Sequence, residues 1–262
     1  MSINAHRRLA MILTQSRREG RQIRDLPQEL MPETTADGYA VNALVAEALG
    51  WAPLGWKIAG TNPTMQQRLG TGGQPIYGRT FAQFEAPSPA HLAHATLLDP
   101  IVECELFFRL GAALPPRTAP YGRDEVIAAV ASVHAGIEVA ECRFPLDALP
   151  AMPAILADGA ASGRYVVGRE IADWRSRDLA AMPVSLEVDG VVRRRGSGAE
   201  VMGDPILALV WLANERSAWG DGLAAGALVS TGTTTGMLLA KAGQRMVAHF
   251  DGTPSVEIAF DS

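Results

Sequence analysis

The sequence predicts an α+β fold, with a small helical layer at the N-terminus and a sheet-dominated remainder. Three observations carry this. Helical periodicity opens the chain and gives way, after about residue 50, to strand-like alternation. Glycine (26 residues) and proline (17) fill about a sixth of the 262 positions, which implies many turns rather than a helical bundle. The strands of the second half alternate too irregularly with helices for a doubly wound sheet.

Taken in order, residues 1–20 read as a helix with a basic end. Residues 36–49 carry apolar side chains at helical spacing, and Gly50 follows as a stop signal. Residues 55–61 (GWKIAGT) alternate like a strand, 62–73 are polar and glycine-ended, and 76–81 offer another strand after Pro75. Residues 101–110 (IVECELFFRL) are rich in β-formers. A helix is expected over 123–134, with Asp124 and Glu125 well placed in its first turn, then a strand over 136–144. Residues 150–163 read as a connection punctuated by proline and glycine, and a strand follows at 164–167. Asp189-Gly190 between 184–188 and 191–194 is the strongest hairpin signal. Asp204-Pro205 opens a helix through about Asn214, and strands are expected over 227–231, 245–250 and 255–260. No internal repeat or low-complexity linker interrupts the chain. The expected organisation is a helical layer over 1–50 and one catalytic unit over 51–262.

Composition narrows the functional classes. With 48% hydrophobic and 19% charged residues, a disordered chain is excluded. A formal charge of −5 without a basic stripe gives no support to a nucleic-acid partner. Cys104 and Cys142 can form neither a disulfide framework nor a CxxC metal knuckle. The first twenty residues hold only a short apolar stretch followed by arginines, unlike a signal peptide, and the longest strongly apolar run, 205–213, is too short to span a bilayer. The expected setting is cytoplasmic, with no membrane partner.

Chemistry concentrates in a few strands. Glu103 and Glu105 flank Cys104, and strand alternation sends both carboxylates to one face. Two like charges this close repel, so either that face is solvated or something positive sits there. Leu106-Phe107-Phe108 directly after them favours burial. Glu138 supplies a third carboxylate in another apolar strand, and three carboxylates on adjacent strands make a hard oxygen site suited to Mg²⁺ or Mn²⁺. Glu141 competes for that third place, although its parity with Glu138 puts it on the opposite face, free to pair with Arg143. Lys57 lies between Trp56 and Ile58: it is either a lysine that loses its proton easily in apolar surroundings or one that snorkels from a strand edge. Residues 230–236 (STGTTTG) offer hydroxyls and glycine amides at a strand end, a cradle for a carboxylate. Gly72-Gly73 is read as a turn, and there is no P-loop, GxGxxG, GxSxG elbow or Ser/His/Asp set.

GWKIAGT (55–61), PIYG (75–78), ExE (103–105), GIEVAECR (136–143), ADGAASGRYVVG (157–168) and GDPILALVWLANE (203–215) occur in one order, followed by a Gly/Thr-rich segment leading to AGQRMVAHF (242–250). From about residue 30 the chain resembles the 2-keto-4-pentenoate hydratase and 4-oxalocrotonate decarboxylase family, a branch of the fumarylacetoacetate hydrolase superfamily. The resemblance implies a mixed β-roll with flanking helices and a divalent metal, Mg²⁺ or Mn²⁺, held by Glu103, Glu105 and Glu138. It implies Lys57 and Asp158 as catalytic residues, with Ile76, Ser162, Thr231, Gly232 and Thr233 around the substrate.

The chain also departs from the family pattern. Ala59 replaces a glycine, Ala140-Glu141-Cys142-Arg143 stands where VDSR is common, and Asp158-Gly159 lacks the usual asparagine. Ile76 stands where hydratases commonly carry an acid, whereas decarboxylase members can read P-I-Y-G. The resemblance thus implies a metal-dependent lyase on a small 2-oxo acid, with hydration of 2-hydroxypenta-2,4-dienoate first and 2-oxo-3-enedioate decarboxylation as the alternative. Acylpyruvate hydrolysis and a non-catalytic partner subunit stand behind these. The expected partners are the 2-oxo acid and further copies of the chain, with a pathway partner enzyme as an alternative.

Overall fold

The computed structural model describes residues 2–262; Met1, part of the expected first helix and of the 1–50 layer, lies outside them. Helix α1 (Ile3–Glu19) is capped by the Ser2 side chain and stopped by left-handed Gly20. Helix α2 (Thr35–Leu49) opens with a Thr34–Asp37 capping box and stops at Gly50. The two bury Leu9, Leu13, Val41 and Val45 in a cluster that also holds Phe81, Cys142 and Phe144, so the helical layer is seated on the sheet-rich part.

Next come β1 (Pro53–Ala59), α3 (Pro63–Leu69), β2 (Ile76–Phe81), β3 (Glu85–Pro87), β4 (Ala90–Leu92) and β5 (Ile101–Leu110). They are followed by α4 (Arg123–Ala129), β6 (Val130–Ala140), α5 (Met152–Ala157), β7 (Arg164–Glu170), β8 (Pro183–Val188) and β9 (Val191–Ser197). The chain closes with α6 (Pro205–Trp219), β10 (Leu228–Ser230), β11 (Leu238–Leu239), β12 (Arg245–Phe250) and β13 (Val256–Phe260). One sheet runs β2-β1-β10-β5-β6-β7-β3, with β11 also paired to β5; the other runs β4-β13-β12-β8-β9.

Parity along β5 sorts its side chains. Val102, Cys104, Leu106 and Phe108 join the main core with Leu186, Met246 and Ile258 of the second sheet. Glu103, Glu105 and Phe107 therefore leave the other face, and they too are buried. Gly136 is required here, because a Cβ would lie 2.2 Å from the Phe107 ring, and it stands opposite Glu105 on β6.

Several expectations change. The helix expected over 123–134 ends at Ala129, and residues 130–134 begin β6, whose pairing starts at Leu110–Val130 and buries Val130 and Val133. That strand stops at Ala140 rather than 144. The polar segment 62–73 contains α3, with Asn62 capping it, Pro63 in its first turn and Gly70 ending it; these start and stop signals are present in the sequence. The 150–163 connection contains α5, and α6 continues to Trp219, five residues past Asn214. The Asp189-Gly190 turn has φ of 49° and 82°, the pattern of a type I′ hairpin.

Candidate active site

Cross-strand register builds the carboxylate cluster. Glu103 of β5 stands directly opposite Glu138 of β6, and Glu105 follows two residues on along the same face. One oxygen from each of the three lies within 4.8 Å of the others. Glu105 and Glu138 are fully buried and Glu103 is 5% exposed.

The outer oxygens are pinned by the protein. Glu105 Oε2 accepts from the Gly232 amide at 2.9 Å and from the Ser230 hydroxyl. Glu138 Oε1 accepts from Tyr165 Oη at 3.2 Å and pairs with Lys57 Nζ at 3.3 Å. Glu105 Oε1 and Glu138 Oε2 have no hydrogen-bond partner among the described residues. Buried oxygens left bare in a cluster of three carboxylates are costly without a cation, and an all-oxygen donor set fits Mg²⁺ or Mn²⁺. Burial, and then the Glu138 charge, pushes the Glu103 carboxyl up to about 7. The same causes in the same order, with Glu103 added, raise Glu105 well above the usual carboxylate range.

Lys57 comes from β1, in register with Ser230 of β10 and Gly78 of β2. It is 2% exposed, so it does not snorkel. Burial alone lowers its pKa, yet Glu138, Glu103 and Glu105 outweigh that and the net direction is upward. This corrects the expectation of an easily deprotonated amine: the lysine's surroundings are carboxylates as well as apolar groups. Its Nζ also donates to the Ala160 carbonyl at 3.0 Å.

That carbonyl belongs to a turn in which Gly159, Ala160 and Ala161 all have left-handed φ, 75°, 54° and 58°. Such angles cost an alanine roughly 1–2 kcal/mol each, so the turn must be held. Asp158 holds it. Its Oδ1 and Oδ2 lie 2.9 and 3.0 Å from Arg143 Nε, Oδ2 also accepts from the Arg143 amide, and Arg17 Nε of α1 sits 3.2 Å from Oδ1. Asp158, expected among the catalytic residues, is therefore buried between two guanidiniums and does not border the cavity beside Lys57. Arg143 is thereby occupied, and Glu141 instead accepts from the Leu98 amide and pairs with Arg164 at 3.4 Å.

Other expected substrate contacts divide. Ile76 and Thr233 line a cavity of about 300 Å³ together with Lys57 and Glu103. Thr231 does not; its hydroxyl donates to the Leu106 carbonyl. Ser162 also lies off the cavity, hydrogen-bonded to Tyr165 at 3.0 Å. Gly232 has φ of 105° and no room for a Cβ beside Thr61, and its amide serves Glu105 rather than a substrate. Sequence reasoning missed Tyr165, whose signal was its register: it pairs directly with Glu138 across β6 and β7.

This fold is found in known proteins. Residues 81–260 match the Fumarylacetoacetate (FAA) hydrolase C-terminal family, and the chain belongs to that family. Within it, the chain is 33% identical to a 2-keto-4-pentenoate hydratase of Paraburkholderia phymatum, over 89% of each chain. It is 30% identical to a 4-oxalocrotonate decarboxylase of Pseudomonas putida, over 87% of each. The solved 4-oxalocrotonate decarboxylase of Pseudomonas putida G7, complexed with magnesium and adipate, superposes with a TM-score of 0.90 at 26% identity, covering 99% of this chain and 98% of the other.

Proposed function

We propose that this chain is a divalent-metal-dependent lyase acting on a small 2-oxo acid, and that it hydrates 2-hydroxypenta-2,4-dienoate. The single observation carrying this is the buried cluster of three carboxylates with bare oxygens, of which Glu103 lines the cavity together with Lys57, in a chain 33% identical to a hydratase. Mg²⁺ or Mn²⁺ held by Glu103, Glu105 and Glu138 supplies Lewis-acid polarisation of the substrate oxygens. The remaining steps fall to the chain. Ketonisation of the dienol takes a proton from O2 and places one at C5, which makes C4 an acceptor for water. Water then gives hydroxyl to C4 and a proton to C3. Lys57, 3.3 Å from Glu138 and bordering the cavity, is the proton donor, and the Ala160 carbonyl fixes its Nζ. Asp158, Arg143 and Arg17 position that carbonyl.

A second reading, decarboxylation of a 2-oxo-3-enedioate, is favoured by Ile76: an isoleucine can neither donate nor accept a proton, and loss of CO₂ needs chiefly an electron sink. The decisive experiment is dialysis against chelator, then assays with and without Mg²⁺ on 2-hydroxypenta-2,4-dienoate and on 2-oxohex-3-enedioate. Metal-restored hydration exceeding CO₂ release is expected. The reverse ratio establishes the second reading, and activity indifferent to metal overturns both. No helix among the described residues is long and apolar enough to cross a membrane. We place the protein in the cytoplasm, in keeping with its two free, buried cysteines, and expect it to self-associate. We read 51–262 as the catalytic unit and the N-terminal layer as its brace, since Arg17 reaches Asp158 from α1.

A further inference from the structure

We propose that Arg68 is the residue that takes a carboxylate of the substrate at this cavity. The inference rests on the 2-oxo acid reading above. Among the described residues lining the cavity, Lys57 and Arg68 are the cations and Glu103 is the one anion. Lys57 is engaged: its Nζ pairs with Glu138 at 3.3 Å and donates to the Ala160 carbonyl at 3.0 Å. Arg68 is not. Its side chain is exposed, and its guanidinium makes no hydrogen bond or ion pair among the described residues.

Helix α3 aims it. Met65, Arg68 and Leu69 stand at i, i+3 and i+4 on one face of that helix, and all three border the cavity. The start of the helix is tied down: the Asn62 side chain caps it and donates to the Glu200 carbonyl at 3.0 Å, and Gln66 donates to the Gly60 carbonyl at 3.0 Å. The charge of Arg68 reaches the carboxylate cluster. Glu103, pushed up to about 7 by burial and by Glu138, is drawn back down by Lys57 and by Arg68. Three ionised carboxylates, a divalent ion and the Lys57 ammonium together carry no net charge. An acid arriving there adds an anion, and a carboxylate that leaves water for a largely apolar cavity needs a cation of its own. Arg68 supplies it, with a planar fork that matches both oxygens. Because the field of Arg68 reaches Glu103, the C1 carboxylate beside the oxo group is the favoured source; the remote carboxylate of a dioate offers the same chemistry.

The test is titration calorimetry at pH 8 on the Mg²⁺-loaded parent, Arg68→Gln and Arg68→Lys, with pyruvate, 2-oxohexanoate and 2-oxohexanedioate. Mn²⁺ titration of the metal-free proteins runs alongside. In Arg68→Gln all three acids should bind about tenfold more weakly, the scale of a lost charge-assisted hydrogen bond. Arg68→Lys, which keeps the charge but not the fork, should fall between the parent and Arg68→Gln. Mn²⁺ affinity should stay within about threefold of the parent, which shows that the variants are folded and the carboxylate cluster intact. A loss confined to the dioate assigns Arg68 to the remote carboxylate and upholds the inference. Acids that bind Arg68→Gln as tightly as the parent overturn it, while their Mg²⁺-dependent binding leaves the 2-oxo acid reading standing. A Mn²⁺ affinity that falls by the same factor as the acid affinity also overturns it, since Arg68 would then act through Glu103. Failure of all three acids to bind the parent in a Mg²⁺-dependent way overturns that reading, and the inference with it.

Discussion

Glu103 and Glu138 face each other as directly paired residues across the antiparallel strands β5 and β6. On a solvated sheet this would be a minor repulsion; here both are buried, with Glu105 on the same face. Strand pairing thus forces together charges that the metal-free protein can keep only at a cost. The thermodynamics of the site follow from that conflict.

Glu103→Gln removes one of the repelling charges. At pH 8 the metal-free variant should be more stable than the parent by on the order of 1–3 kcal/mol, since Glu103 there is ionised against a pKa raised by burial and by Glu138 to about 7. In thermal melts this appears as a higher Tm for the variant, and the Tm rise with Mg²⁺ expected of the parent should be absent. Variants of Glu103 and Glu105 that bind metal like the parent would make these glutamates purely structural.

The same shift sets a pH dependence. The folded-state carboxyl of Glu103 binds its proton more tightly than the unfolded one, so its protonated form favours folding. Metal-free stability should therefore fall as pH rises from about 4.5 to about 7. A divalent ion competes with that proton. The Tm increment from a fixed Mg²⁺ concentration should be small at pH 5.5 and grow to pH 8, as calorimetric scans across that window would show.

Asp158→Asn leaves Arg17 and Arg143 buried beside a neutral amide. Uncompensated buried charge costs about 3–5 kcal/mol, and the urea midpoint should drop accordingly. Activity should fall with it, as the 159–161 turn loosens from Lys57. Unchanged stability with lost activity would instead mean that Asp158 acts on the substrate directly.

Lys57→Gln should lower kcat by about 10²–10⁴-fold, the scale of a lost general acid, with Mg²⁺ still bound. Because the cation 3.3 Å from Glu138 is gone, the carboxylates repel more strongly without metal. The Mg²⁺-induced rise in Tm should therefore exceed that of the parent.

Tyr165→Phe removes the hydroxyl that holds Glu138 Oε1 and leaves the ring against Phe107. Metal affinity, read by Mn²⁺ titration, should weaken about 10–100-fold with the fold retained. An unchanged Mn²⁺ affinity would show that Lys57 alone orients Glu138.

Local sequence determined a good part of this protein. Alternation along 101–110 placed Glu103 and Glu105 on one face, Asp189-Gly190 set a hairpin, and Gly20 and Gly50 closed the first two helices, because each of these depends on residues a few positions apart. Residues 130–134 went wrong by the same logic: their helical continuation is locally acceptable, and only pairing with β5 makes them strand. The tertiary structure alone decided which oxygens are pinned and which are bare, since that depends on Ser230, Gly232 and Tyr165 arriving from other strands and loops. It likewise turned Asp158 away from the cavity, because Arg17 and Arg143 reach it from α1 and from the chain beyond β6. Charges separated by 141 and 15 residues leave no periodicity for a sequence to show, and the partner of a buried carboxylate is fixed only when the chain has closed around it.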